Sequence, residues 1–206
     1  MSTPAASPPF AVVLTAAGES TRMGQPKQLL DWHGVPLIQY QVRQLQETTA
    51  GEIVVVLGHE AERIRPLVAQ VQDSRVRIVI NNDYPQGKTT SIKAGLDALE
   101  GNPDTVMLLA VDQPRPADVL QRLIEEHHDG GNLISVPSHQ GKHGHPPIFS
   151  TVLLPELLAI TEEDRGLLRV VEGHRGEVRK IAFKEAIVLT NLNTPEDYNQ
   201  ALELSH

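Results

Sequence analysis

Arg22 and Lys27 are the two cations in the stretch from Phe10 to Leu30, and both follow the small residues Ala16, Ala17 and Gly18. With no large side chain there, backbone N–H groups can approach an anion closely, as they do in phosphate-binding loops. Gly24 and Pro26 shape the chain between the two cations. Such a segment suits a triphosphate, because phosphoryl chemistry needs positioned positive charge more than a covalent partner. Asp112 follows directly on the apolar run Val106 to Val111. A carboxylate at the end of a strand can hold a hard cation such as Mg²⁺ together with nucleotide oxygens and water. The plainer alternatives are two surface cations ahead of a helix and an ordinary loop aspartate.

Other chemistries are weaker fits. The spacing of Gly18, Gly24 and Lys27 does not match Gly-x-x-x-x-Gly-Lys-Ser/Thr, and Gly-x-Gly-x-x-Gly is absent. His139, His143 and His145 lie close together in sequence and could ligate a transition metal, but the chain has no cysteine to complete a thiolate site. Asn82, Gly87 and Ser91 fall in a loop-to-helix segment whose backbone and amide groups could read the edge of a base; an ordinary turn with a helix cap is the alternative.

The elements that would position these residues read as strands alternating with helices. Apolar β-branched runs predict strands at Phe10 to Leu14, Ile53 to Leu57, Val76 to Ile80, Val106 to Val111 and Leu133 to Val136. Val178 to Phe183 and Ile187 to Thr190 are expected as further strands. Helical spacing covers Leu37 to Thr48, Glu60 to Val71 with a kink or restart at Pro66, a segment capped by Thr89 or Thr90 and running to Leu99, and Pro116 to His128. Two short helices are expected at Thr151 to Ile160 and Leu167 to Gly173, with a long loop from Pro137 to Pro147. Thr194-Pro195-Glu196-Asp197 opens a last helix with a hydroxyl cap and proline at the first helical position. This order implies a mostly parallel sheet covered on both faces, with ligands bound beyond the carboxyl ends of its strands. Gly18, Gly87 and Asp112 all follow predicted strands and are expected on one rim.

Composition narrows the class. With 206 residues, one domain over residues 10–206 is expected, behind a flexible tail at residues 1–9 that lacks the marks of a signal peptide. The net charge of −8, from 26 acidic against 18 basic residues, argues against a nucleic-acid surface. The absence of cysteine excludes disulfides and cysteine nucleophiles. No apolar run is long enough for a transmembrane helix, and a cytoplasmic protein without membrane partners is expected.

The stretch from Thr15 to Lys27 resembles the signature of the MobA-like nucleotidyltransferases, Leu-Ala-Ala-Gly-x-Ser-x-Arg-Met-Gly-x-x-Lys. It matches at Ala16, Ala17, Gly18, Ser20, Arg22, Met23, Gly24 and Lys27, with Thr15 in place of the leucine. The resemblance extends over nearly the whole chain and implies a Rossmann-like three-layer α/β fold of the nucleotide-diphospho-sugar transferase type. It implies that Arg22 and Lys27 hold phosphates, that Asp112 in Asp112-Gln113-Pro114 is a catalytic metal carboxylate, and that Gly87 and Ser91, in Gly-x-x-x-Ser-Ile-x-x-Gly, line the base and ribose pocket. Gly144-His145-Pro146-Pro147-Ile148-Phe149 resembles the family's Gly-His-Pro-x-x-Phe, placing His145 on the acceptor side. One departure stands out. Where relatives commonly read Asp-x-Asp-Thr-Pro-Glu-Asp, this chain has Asn191-Leu192-Asn193-Thr194-Pro195-Glu196-Asp197. Asn193 is kept as a metal ligand through its amide oxygen, a weaker donor than a carboxylate. Within the family the motifs look most like molybdenum cofactor cytidylyltransferases, implying Mg²⁺, CTP as donor, a molybdopterin acceptor and transient contact with a molybdoenzyme or its chaperone. Guanylyl transfer to the same cofactor, transfer to a sugar or polyol phosphate, and a non-catalytic nucleotide- or cofactor-binding chaperone are the alternatives.

Overall fold

The computed structural model describes residues 10–204; the expected tail, residues 1–9, lies outside them. In chain order the elements are β1 (Phe10–Ala16), the hairpin β2 (Asp31–Trp32) and β3 (Val35–Pro36), α1 (Leu37–Gln46), β4 (Glu52–Leu57), α2 (Ala61–Ala69), β5 (Val76–Ile80), α3 (Lys88–Asp97), β6 (Thr105–Ala110) and α4 (Ala117–Gly130). They continue with β7 (Ile134–His139), β8 (Lys142–His143), β9 (Ile148–Ser150), α5 (Leu154–Leu158), α6 (Leu167–Gly173), β10 (Val178–Ala182) and α7 (Pro195–Leu204).

The main sheet runs β10-β7-β9-β6-β1-β4-β5, with β8 paired to β7. β1 pairs in parallel with both β4 and β6, and β4 with β5, while β9 lies antiparallel between β6 and β7. The central strands are apolar throughout because both faces are covered. Along β1 the faces alternate: Val12 and Leu14 pack into one core with Leu37, Val42 and Leu120, and Val13 packs into the other with Ile92 and Leu96. A three-layer α/β fold follows, as the alternation of elements implies. Gly95 of α3 shows how tightly the layers meet, since a Cβ there would stand 2.2 Å from Val13 Cγ1.

Three expectations need correction. The segment from Pro137 to Pro147 is not one long loop: β7 extends to His139, turns at Gln140 and Gly141 with φ of 49° and 81°, and returns as β8. Paired positive φ values are the geometry of a tight hairpin, and the polar composition hid it. Ile187 to Thr190 is not a strand but a 3₁₀ turn, Ala186–Leu189, whose Val188 carbonyl accepts from the Arg115 guanidinium and from the His145 N–H. Neither Thr89 nor Thr90 caps α3. Gly87 precedes its first residue, Thr90 Oγ1 donates to the Gly87 carbonyl at 2.8 Å, and the Glu162 carboxylate accepts from the Thr89 N–H at 2.7 Å. α2 continues through Pro66 without a break. The last helix starts as expected, with Asp197 N–H donating to Thr194 Oγ1 at 3.2 Å and Asp197 Oδ2 accepting from Thr194 N–H at 2.9 Å.

Topology fixes where a ligand can bind. From β1 the chain steps outward through α1 to β4 and through α2 to β5, then returns across α3 to β6 on the other side of β1. Connections therefore leave β1 and β6 in opposite directions, and a crevice opens beyond their carboxyl ends.

Candidate active site

That crevice holds a cavity of about 810 Å³, lined among others by Ala17, Gly18, Arg22, Lys27, Gly87, Ser91, Asp112, His145, Asn191 and Asn193. It is built from the loop after β1. Ser20, at φ 59°, and Gly24, at φ 69°, bend the chain around the short 3₁₀ turn of Thr21–Met23. Gly24 suits that left-handed geometry, whereas Ser20 tolerates it at some cost. The Ser20 hydroxyl accepts from the Lys27 N–H at 3.1 Å, and the buried Gln28 amide donates to the carbonyls of Ala16 at 2.6 Å and Gly18 at 3.2 Å. Gln28 is therefore the brace that shapes the loop, a role the motif spacing did not reveal. On its far side the loop is held by the His59 N–H, which donates to the Ala17 carbonyl at 3.0 Å. Around Gly18 a Cβ would meet nothing within 4 Å, so the loop backbone faces open space.

The Lys27 ammonium is drawn inward. It donates to Asp112 Oδ2 at 2.8 Å and to Asn193 Oδ1 at 3.3 Å. Residues from the first loop, from the end of β6 and from the start of α7 thus meet at one point. Arg22 is exposed on the cavity wall and makes no ion pair among the described residues. The two oxygens that converge on Lys27 are hard donors, one charged and one neutral, and suit Mg²⁺ better than a soft metal. Among the described residues no group of three or more His, Cys, Asp or Glu gathers into a metal site. A cation here would draw on Asp112, Asn193 and the oxygens of its ligand.

Behind Asp112 the loop is fixed from below. Gln41, wholly buried on α1, donates to the Gln113 carbonyl at 2.8 Å, and Gln113 Nε2 donates to Asn191 Oδ1 at 2.9 Å. Asn191 is thereby tied to the Asp112 loop, which makes it a structural amide. Arg115 was not picked out by the sequence; it is fully buried and donates to four backbone carbonyls.

The second wall is made by α3, α6 and the segment after β8. Gly87, at φ 123°, and Ser91 line the cavity, as expected. Asn82 does not: it is exposed and lies outside the cavity lining. Its neighbour Asn81 is the buried amide, donating to Thr90 Oγ1 and Ser91 Oγ at 2.9 Å each. The reason is register, because Asn81 directly follows β5 and turns inward while Asn82 turns out. Lys88, the first residue of α3, also faces the cavity. His145, in the segment after β8, borders the cavity too, and burial foremost, then the nearby Arg115 charge, lowers its pKa. His139 turns elsewhere, its Nδ1 lying 3.1 Å from the Phe183 carbonyl.

A small-residue loop, paired cations and a carboxylate at the switch point of a parallel sheet define a nucleotide-dependent transferase site. The family model for the MobA-like NTP transferase domain matches residues 11–179, and the chain belongs to that family. It is a nucleotidyltransferase. It is 27% identical over 195 residues to a molybdenum cofactor cytidylyltransferase of Escherichia coli, covering 93% of this chain and 94% of that one. It is 36% identical over 132 residues to the bifunctional protein GlmU of Kineococcus radiotolerans, covering 62% of this chain and 26% of that protein. Among solved structures, Rv0371c of Mycobacterium tuberculosis superposes with a TM-score of 0.81 at 25% identity, over 96% of this chain and 99% of the other. No helix among the described residues is long and apolar enough to cross a membrane.

Proposed function

We propose that this enzyme transfers CMP from CTP to the phosphate of a molybdopterin cofactor and releases pyrophosphate, in a single domain spanning residues 10–206. The observation that carries the reading is the meeting of Lys27, Asp112 and Asn193 beside the loop of Ala17 and Gly18, which starts where Ala16 ends β1 without lining the cavity. The likeness to the Escherichia coli cytidylyltransferase along nearly both full lengths supports CTP and molybdopterin over other substrates.

In the reaction an acceptor phosphate oxygen attacks the α-phosphorus in line, a new P–O bond forms, and the bond to the β-phosphate oxygen breaks to free pyrophosphate. Lys27 moves its ammonium contact from Asp112 to the phosphates, and Arg22 joins it from the exposed rim. Backbone N–H groups of Ala17 and Gly18 lie against the triphosphate, which the small side chains permit. Gly87 and Ser91 border the nucleoside, and His145 borders the acceptor. Asp112 and Asn193 would hold a divalent cation such as Mg²⁺, which would supply neutralisation of charge on the transferred and leaving phosphates. A cytoplasmic setting and brief contact with a molybdoenzyme or its chaperone complete the reading.

The test is thermal stabilisation by CTP, GTP, UTP and ATP, each with and without Mg²⁺, followed by pyrophosphate release with molybdopterin. Selective stabilisation by Mg·CTP and acceptor-dependent pyrophosphate release are expected. Selectivity for GTP would move the reading to guanylyl transfer. Turnover only with a sugar or polyol phosphate would replace the acceptor, and tight CTP binding without turnover would leave a binding chaperone.

A further inference from the structure

Arg115 is the most unusual charge in the molecule. It has no exposed surface, and its guanidinium donates to the carbonyls of Pro114 at 2.8 Å, His145 at 2.9 Å, Val188 at 3.0 Å and Thr190 at 2.9 Å. Among the described residues it makes no ion pair with a carboxylate. Carbonyl dipoles satisfy its N–H groups but do not cancel its charge, and an uncancelled buried cation is costly. The pKa of the group falls to about 9, chiefly through burial, with Asp112 acting in the opposite direction.

The four carbonyls belong to three segments, all of which the one guanidinium joins. One carries Asp112, the second carries His145, and the third leads into Asn191 and Asn193. Two further contacts show how closely the second and third segments lie: the His145 N–H donates to the Val188 carbonyl at 2.9 Å, and a Cβ on Gly144 would stand 2.3 Å from that same oxygen. The planar fork of an arginine can serve carbonyls lying in several directions at once, which a lysine cannot.

We propose that Arg115 is a positioning residue with two effects. It clamps the Asp112 loop to the His145 wall, fixing the width of the cavity between donor and acceptor. It also provides a permanent positive charge, shielded from water, whose counter-charge is the bound polyphosphate. Rather than touching the ligand, it acts through the His145 carbonyl and through space, where low polarisability keeps its field strong. The second effect rests on the reading of the cavity as a phosphate site; the first does not.

The experiment compares wild type with R115K and R115M, all held well below their melting temperatures. Inorganic tripolyphosphate with Mg²⁺ is the anionic probe, backbone amide exchange reports the clamp, and the His145 ring is titrated by NMR. Both variants are expected to speed amide exchange about tenfold in residues 144–146 and 189–192 while β1 and β4 stay protected. Tripolyphosphate affinity is expected to fall about tenfold in R115M and to recover within about threefold in R115K, which keeps the charge. The charges of Arg115 and Lys88 lower the His145 pKa and that of Asp112 raises it, so its midpoint should rise in R115M but stay low in R115K. Unchanged exchange in both variants overturns the clamp. Equal loss of tripolyphosphate affinity in both variants, or an unmoved His145 midpoint in R115M, overturns the charge. Should wild type fail to bind tripolyphosphate, the phosphate reading of the cavity falls, while amide exchange and the His145 midpoint still decide the role of Arg115.

Discussion

Lys27 and Arg115 are two cations on either side of Asp112, and the protein holds them in opposite ways. Lys27 reaches the cavity and rests against a carboxylate at 2.8 Å that is itself partly open to water. Arg115 is sealed beneath the same loop and bonds to carbonyls alone. A cation that must meet a ligand needs a partner it can leave, and a carboxylate with a quarter of its side chain open to water is such a partner because water can replace it. One that must hold three segments together needs partners that cannot leave, and backbone carbonyls of a folded chain do not. Under the proposed function, the difference would separate a group that takes part in the chemistry from one that sets its geometry.

Removing Asp112 tests the exchangeable side most severely. Asp112→Ala should lower kcat about 1,000-fold, since it removes both the carboxylate for the cation and the resting partner of Lys27. Its melting temperature should fall, because Lys27, whose side chain is only 11% exposed, loses its carboxylate partner. Acceptor-dependent pyrophosphate release and a melting curve together check this. A variant with near-normal turnover would mean that the chemistry lies elsewhere in the cavity.

The next effect is smaller. Lys27→Met should lower kcat/KM for CTP about 100-fold and reduce stabilisation by Mg·CTP, since one positioned cation on the phosphates is lost while Arg22 remains. Isothermal titration with Mg·CTP checks it. Unchanged affinity would show that the ammonium never leaves Asp112, and the contrast with Arg115 would collapse.

A gain is expected from Asn193→Asp. Its present amide oxygen accepts from Lys27 at 3.3 Å. A carboxylate there binds a hard divalent ion better than an amide, so the Mg²⁺ concentration for half-maximal activity should fall several-fold. Direct binding of Mn²⁺, followed by its spin resonance, checks the same point without turnover. No change in either would remove Asn193 from the metal side of the site.

Legibility in the sequence follows the same division. The strands β1, β4 and β6 were readable because both faces are buried, which leaves an unbroken apolar run. That Arg22, Lys27 and Asp112 line one cavity is readable because small residues and cations, or a carboxylate, follow the ends of predicted strands. What was hidden depends on contacts distant in sequence. Nothing local marks Arg115, whose partners lie 30 residues away at His145 and 75 at Thr190. Gln28 and Gln41 look like polar residues on helical faces until their carbonyl partners are known. Asn81 and Asn82 are adjacent amides, and only the register after β5 decides which one turns inward. Nothing local marks the hairpin of β7 and β8, because its strands meet through serine, histidine and lysine instead of an apolar pattern.

The smallest effect concerns a buried group far from either cation, and so serves as their control. His127 on α4 is 3% exposed, with Nδ1 2.8 Å from Ser135 Oγ, and burial foremost lowers its pKa to about 4. The folded state therefore binds that proton less readily than the unfolded chain, where the value is 6.5. Stability from this group is complete above pH 6.5 and is lost as the pH falls toward 4, by up to about 1.4 kcal/mol per pH unit. His128 and His145 are shifted in the same direction, so they add to the slope. The lowered carboxyl of Asp73, held by Arg75, matters only further down, between its ordinary 3.8 and about 2. His127→Gln keeps a hydrogen-bonding group without the proton uptake, and it should flatten the melting temperature between pH 6.5 and 4 relative to wild type. Affinity for Mg·CTP at pH 7.5 should be untouched, because the group lies on α4 away from the cavity. An equal pH slope in both proteins would assign the acid sensitivity to the other histidines, and a changed affinity would mean that the frame around the site extends further than the Arg115 clamp.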